Sequence, residues 1–377
     1  MPPEILLRFT ALGDILLAVP AARALLRRGI DLHWVIHRRW APLAPWLPAT
    51  VHLLGGMGDL LPLARRLRTW RPGRVHDLQG KPLSLALGWL LGAPVTRYAK
   101  RPWAEQWAAM RGGYPLRGGD PRPVWQRYLA TIGEPAAPPD GRLVMPASCS
   151  PRVDAFLHEH GLASGAFVLI HPGAAHPGKV LPPAALAAVP AIWPRLAAIG
   201  DRADLSLPAG VVDLRGRLPL DLLPGVMAHA RGVVSTDSGP MHLARAVGVP
   251  VVGIFLQTDP SLGFSPLPGA AVRIISRDLP CKPCSLHGQR ATCPEGHWAC
   301  RDLDWGTIAA DLRRWFDHLA QATPPSAAAE EGPTRWRAAD PPAGMRQGMS
   351  AAPPGRPAPS VWEPPASHVP TGVRQAP

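Results

Sequence analysis

The sequence predicts an α/β protein of two doubly wound domains facing a cleft, and three observations carry the prediction. Two successive sets of short apolar strand runs and amphipathic helix patterns occur. A stretch rich in Pro, Gly and Ala, around residues 133 to 150, separates them. In both sets, polar residues gather where a strand run gives way to a helix, the usual ligand position of a Rossmann-like sheet. The boundaries predicted are 1–148 and 149–322. Residues 323–377, rich in Pro and Ala and without apolar periodicity, read as a disordered tail.

The first element is the strand run Glu4 to Phe9. The turn Thr10-Ala-Leu-Gly-Asp comes next, then a helix over Ile15 to Arg28, with Pro20 expected to kink it. Gly13 lets the backbone turn closely, and Asp14 stands at the helix start. No G-x-G-x-x-G fingerprint is present at this turn, which argues against a dinucleotide-dependent enzyme. A second strand covers Asp31 to His37, a helix Leu60 to Trp70, and a short strand Val75 to Asp77. Asp77 and Gln79 then stand before the helix Pro82 to Leu91, either as helix caps or as groups that orient a ligand.

The second set starts with a helix at Val153 to His160 and a buried strand at Phe167 to His171. The loop Pro172-Gly-Ala-Ala-His-Pro-Gly-Lys comes after it. It carries Lys179, one of four lysines in a chain that otherwise takes its positive charge from Arg, and an ammonium is a compact partner for a phosphate oxygen. A strand and turn at Val211 to Gly216 and a helix at Leu220 to Ala230 lead to Gly232 to Phe255, a strand–turn–helix–strand unit. Its polar turn places Asp237, Ser238, Gly239 and His242 at a helix N-terminus, where free N–H groups and the helix dipole suit a phosphate. Simple capping by Asp237 or Ser238 is the competing reading. A strand at Val272 to Ser276 and a helix over Asp304 to Gln321 complete the set.

Charge is unevenly distributed. The chain has 40 Lys and Arg against 27 Asp and Glu, and residues 1–150 hold 20 of the former against 9 of the latter. That field favours an anionic partner: nucleic acid, an acidic membrane surface or a phosphorylated ligand. Nucleic acid is disfavoured, because aromatic residues do not interleave with the basic ones as a stacking platform. No apolar run is long enough to span a membrane, and Arg8 and Asp14 interrupt the first apolar segment, which argues against a secretion signal. A cytoplasmic protein is expected. Cys281, Cys284, Cys293 and Cys300 are spaced C-x2-C-x8-C-x6-C, which in a reducing compartment favours thiols or a structural zinc over disulfides, though the spacing is not that of a common zinc ribbon.

Several stretches in order resemble one family, the bacterial lipopolysaccharide heptosyltransferases of glycosyltransferase family 9. They are Leu7-Arg-Phe-Thr-Ala-Leu-Gly-Asp-Ile-Leu-Leu-Ala-Val-Pro, Asp77-Leu-Gln-Gly, Ile170-His-Pro-Gly-Ala-Ala with Lys179, and Ser235-Thr-Asp-Ser-Gly-Pro-Met-His-Leu-Ala. The cysteine cluster also resembles one found in many members. The likeness covers about residues 4 to 321 and leaves out the tail. It implies a GT-B fold, an N-terminal acceptor domain and a C-terminal nucleotide-sugar domain. The implied reaction is inverting, needs no catalytic metal, and moves heptose from ADP-L-glycero-D-manno-heptose to the lipid A/Kdo inner core at the inner face of the inner membrane. It also implies Asp14 as general base with Arg8 beside it, Lys179 on the donor phosphates, and Asp237, Ser238, Gly239 and His242 around ADP. Lys179 is followed by Val180-Leu-Pro where the family often has a Lys-Arg-Trp-Pro-like run, so His176 is the candidate to replace a polar contact there. Two alternatives stand: a family-9 enzyme with another nucleotide sugar or glycan acceptor, and a non-catalytic nucleotide-binding module.

Overall fold

The computed structural model describes residues 2–99, 122–201 and 204–322. The predicted tail lies outside the described residues. Two wholly parallel sheets form the frame. The first has β1 (Glu4–Leu7), β2 (Leu32–His37), β3 (Thr50–Leu54), β4 (Arg74–Asp77) and β5 (Val95–Arg97), in the order β3-β2-β1-β4-β5. The second has β6 (Val168–His171), β7 (Leu196–Ala198), β8 (Val212–Asp213), β9 (Gly232–Thr236), β10 (Val251–Phe255) and β11 (Val272–Ser276), in the order β11-β10-β9-β6-β7-β8.

Each order contains one reversal. From β1 the chain moves outward to β2 and β3, then returns to the other side of β1 as β4; from β6 it moves to β7 and β8, then returns as β9. The loops after β1 and β4 therefore diverge, as do those after β6 and β9, and each divergence opens a crevice at the carboxyl ends of the strands. Those are the loops that carry Asp14, Gln79, Lys179 and Asp237.

The expected helix after β1 is two helices, α1 (Leu12–Leu17) and α2 (Val19–Arg27). Pro20 sits in the first turn of α2, where its missing N–H is not needed; within one continuous helix it would have forfeited a bond and clashed with the preceding turn. On the outer face of the first sheet lie α3 (Leu60–Arg68) and α4 (Pro82–Leu91), the latter ended as expected by Gly92 in the left-handed conformation. The predicted helix at Leu220 to Ala230 is shorter, Leu223–Ala228, and the last helix, Trp305–Ala322, begins after Asp304, which accepts from Thr307 N. Residues 1–325 form one compact unit, and a single apolar cluster runs through both sheets' inner layers, joining Leu16, Trp34 and Trp46 to Val153, Met241 and Phe255.

A polar chain runs along β2 and β3, with its two histidines buried and its ends, Asp31 and Arg66, exposed. Arg66 can only donate, so Nδ1 of His52 accepts at 3.2 Å, Nε2 of His52 donates to His33 Nδ1 at 2.9 Å, and His33 Nε2 faces Asp31. Trp70 lies over both rings. Burial, with the His33 and Arg66 charges, lowers the His52 pKa to about 3. A histidine whose folded pKa lies below its unfolded value binds its proton more readily when unfolded, so stability falls as pH drops below about 6.5. The loss from this residue is up to about 1.4 kcal/mol per pH unit. Urea denaturation at pH 7, 6 and 5 should show that decline, and His52→Leu should make it shallower by one residue's share, His171 and His242 keeping theirs.

Candidate functional site

The site forms where the N-termini of two helices meet: α1, and the helix Gly239–Ala246 that comes after β9. A Cβ on Gly13 would lie 2.8 Å from the His242 ring, and one on Gly239 would lie 2.8 Å from the Leu12 side chain. Neither position tolerates a larger residue without moving the other half. The contact brings Asp14 of the first half and the Asp237–His242 turn of the second to one place.

Asp14 is held from several sides. Its Oδ2 forms an ion pair with Arg8 Nη2 at 2.5 Å and accepts from Ala11 N at 3.1 Å, while Oδ1 lies 3.4 Å from the Tyr128 hydroxyl. Burial pushes the Tyr128 hydroxyl well above its ordinary range, so it remains a protonated donor. Arg8 in turn donates to Leu78 O at 2.7 Å. The Asp14 side chain retains 20% exposure and so faces the cleft.

Asp77 and Gln79 have a different place from a ligand's first contacts. Asp77 is fully buried, accepts from the backbone N–H groups of Gln79 and Gly80, and pairs with Arg97. Gln79 Oε1 accepts from Phe9 N at 3.0 Å and Thr10 N at 3.2 Å. These two residues brace the loop that delivers Asp14.

In the second half, Lys179 Nζ lies 2.9 Å from Asp237 Oδ2. In this pair the Asp237 carboxylate fixes the direction of the Lys179 ammonium. Ser238 occupies the N-cap position without making a side-chain cap; its hydroxyl donates to Thr236 O at 3.0 Å and lies 3.0 Å from His171 Nδ1. Simple capping is thereby excluded for Ser238. His242 is buried, with Nδ1 lacking a partner, and burial lowers its pKa to about 4. His171 is likewise lowered to about 4 by burial, so both rings are neutral near pH 7. His176, ahead of Lys179, is half-buried and lowered by burial and by the Lys179 charge.

Sequence reasoning missed Tyr128 and the role of His171. His171 lies inside a motif singled out for its neighbours; Tyr128 lies 114 residues from Asp14 on a helix without a local signal. The four cysteines of the cluster are free, with Cys284 and Cys300 buried, and burial raises the thiol pKa values of both, to about 11 for Cys284. Among the described residues no group of three or more His, Cys, Asp or Glu side chains is arranged to hold a metal ion.

Residues 194–298, from β7 through the Asp237 turn into the cysteine segment, match the model of glycosyltransferase family 9 (heptosyltransferase). This part of the chain carries the family-9 pattern. A stretch of 68 residues is 40% identical to lipopolysaccharide heptosyltransferase 1 of Pseudomonas aeruginosa, covering 18% of this chain and 19% of that relative's length. Among solved structures, the family-9 glycosyl transferase of Veillonella parvula is 18% identical over 73% of this chain and 85% of that one, with a TM-score of 0.58. ADP-heptose lipopolysaccharide heptosyltransferase II of E. coli is 19% identical over 83% and 99%, also at 0.58. These structural likenesses are of fold, and the fold is the GT-B-like pair of parallel sheets expected from the sequence.

The close approach of the two helices is testable. Gly239→Ala should lower stability by about 1–3 kcal/mol, the usual cost of overpacking. Leu12→Ala in the same chain should recover part of that loss in thermal denaturation, because the two changes share one contact.

Proposed function

We propose that the chain is an inverting heptosyltransferase of family 9 that moves heptose from ADP-L-glycero-D-manno-heptose to the lipid A/Kdo inner core of lipopolysaccharide. The single observation that carries the reading is the meeting of a braced carboxylate, Asp14, with an ammonium and a helix N-terminus, Lys179 and the Asp237–His242 turn. A base for one partner and an anion site for the other are what a sugar transfer from a nucleoside diphosphate requires.

In this mechanism Asp14 takes the proton of the acceptor hydroxyl as its oxygen attacks the anomeric carbon. The bond from that carbon to the β-phosphate oxygen breaks, and ADP leaves with the electron pair. Lys179, with the Gly239 N–H and the positive end of the Gly239–Ala246 helix dipole, stabilises the charge that develops, so no divalent cation is invoked. Arg8, Ala11 and Tyr128 keep the Asp14 carboxylate aimed across the cleft; His242, neutral, stands at the start of the facing helix with its Nδ1 buried and unpaired. Asp14→Asn should bind ADP within about twofold of the parent and lose turnover by on the order of 100-fold or more. Lys179→Ala should raise the donor KM and slow ADP release. Turnover by Asp14→Asn at the parent rate would remove Asp14 from its role.

An anionic membrane surface is the proposed place of action. Helix α4 has no charged residue, yet Leu85 and Trp89 point outward, Trp89 being 81% exposed; Met57, just before the neighbouring α3, and Leu61, on it, are 70% and 53% exposed. Arg65, Arg66 and Arg68 stand further along α3. Apolar side chains beside guanidinium groups match the boundary between acyl chains and acidic headgroups. Sedimentation with phosphatidylglycerol vesicles should bring down the parent, and Leu85→Ser with Trp89→Ser should reduce the bound fraction severalfold. No helix among the described residues is long and apolar enough to cross the bilayer.

A further inference from the structure

The segment that carries the cysteines is fastened to the loops of the candidate donor site. Between β11 and the last helix it is held at several points. Lys282 Nζ donates to Phe255 O at 3.2 Å and to Ser276 Oγ at 2.5 Å, Gln257 Nε2 donates to Arg290 O at 3.0 Å, Arg301 Nη2 donates to Pro177 O at 2.6 Å, and Gly178 N donates to Gly288 O at 2.9 Å. The last two bonds end on the Pro177–Lys179 turn itself.

The part of the segment that meets Lys179 is the turn Ser285–Gln289, and it is built to hold a shape. Ser285 Oγ accepts from Gly288 N at 2.8 Å and Gln289 N at 3.2 Å and donates to Gln289 Oε1 at 2.6 Å; the same Oε1 accepts from His287 N at 3.1 Å. Gly288 has φ +75°, and a Cβ there would stand 2.6 Å from Lys179 Cγ, with Cε and Cδ also within 3.3 Å. The glycine is thus the seat of the Lys179 stem. On the facing side, a Cβ on Gly178 would collide with Gln257 Oε1, a buried oxygen without a partner.

His287 stands at the apex of the turn. Its ring lies 6.5 Å from that of His176 and nearly parallel to it, and it feels the charges of Lys179, Asp14 and Asp237 together. Among the described residues its ring nitrogens make no hydrogen bond. The ring is exposed to solvent, yet desolvation by the surrounding protein and the Lys179 charge lower its pKa, which leaves a neutral ring able to donate an N–H next to an ammonium without repulsion.

We propose that the Ser285–Gln289 turn is a wall of the donor site, in which Gly288 seats Lys179 and His287 donates a hydrogen bond to the β-phosphate of the bound nucleotide sugar. The inference rests on the reading of the chain as a sugar transferase. The β-phosphate is the assigned contact because His287 is within electrostatic reach of both the Lys179–Asp237 pair, which receives the leaving group, and Asp14, which approaches the sugar.

Titration calorimetry of the full chain with ADP and with AMP tests it, alongside ADP release from ADP-heptose in the presence of an inner-core acceptor. His287→Ala should weaken ADP about 10-fold, the loss of one hydrogen bond to a charged group. AMP, which lacks the β-phosphate, should bind it within about twofold of the parent, since the assigned contact is missing from both complexes. His287→Gln, which keeps an N–H donor, should recover most of the ADP affinity, and Gly288→Ala should weaken ADP through Lys179. Parent-like ADP binding by His287→Ala, or an equal loss for ADP and AMP, would overturn the proposal while leaving the transfer reading intact. A parent protein that binds ADP but releases none from ADP-heptose would overturn the transfer reading, and the assignment of His287 to a sugar donor with it.

Discussion

Everything at the site depends on two helices touching end to end. Gly13 against His242, and Leu12 against Gly239, allow the start of α1 and the start of the Gly239–Ala246 helix to approach within side-chain contact. A methyl group at either glycine would separate the Asp14 carboxylate from the Asp237–His242 turn. The parallel sheets behind them explain why helix starts, rather than helix ends, meet here: each helix comes after a strand whose carboxyl end points to the same crevice.

Charge is managed in pairs. Arg8 with Asp14, and Lys179 with Asp237, each put one ion of either sign on their own half of the crevice. Both pairs are partly shielded from water, so each would be costly to break, and each fixes the direction of one side chain: Arg8 that of Asp14, Asp237 that of Lys179. Supporting residues act one step further back. Gln79 holds the backbone at Phe9 and Thr10, Tyr128 lies against the second oxygen of Asp14, and His171 meets the Ser238 hydroxyl.

Much of this is legible in the sequence, for a physical reason. Asp14, Lys179 and Asp237 come after strands with strong β-branched or apolar runs, and the loop leaving a buried parallel strand has only one end of the sheet to occupy. The strands that escape such a reading are β3, β5 and β7: Thr50–Leu54 lies in a Pro-flanked stretch, Val95–Arg97 is three residues at an edge, and Leu196–Ala198 is an apolar run too short to distinguish from helix. Gly288 and His287 are invisible for another reason. Their significance lies in a contact with Lys179 across more than a hundred residues, and a glycine that makes room for a lysine stem looks like any other loop glycine.

The basic half of the molecule owes its charge to arginine, with lysine used at four positions in the entire chain. Guanidinium groups do not lose their protons in any range where the protein is folded, so the field over residues 1–150 cannot be switched off by alkaline shifts as an amine surface could be. Dissolved ions can weaken it, because at about 0.15 M they screen exposed charges beyond about 8 Å. On the proposed reading, contact with an anionic surface would weaken with ionic strength, while the apolar side chains of α4 would supply the part that salt leaves untouched.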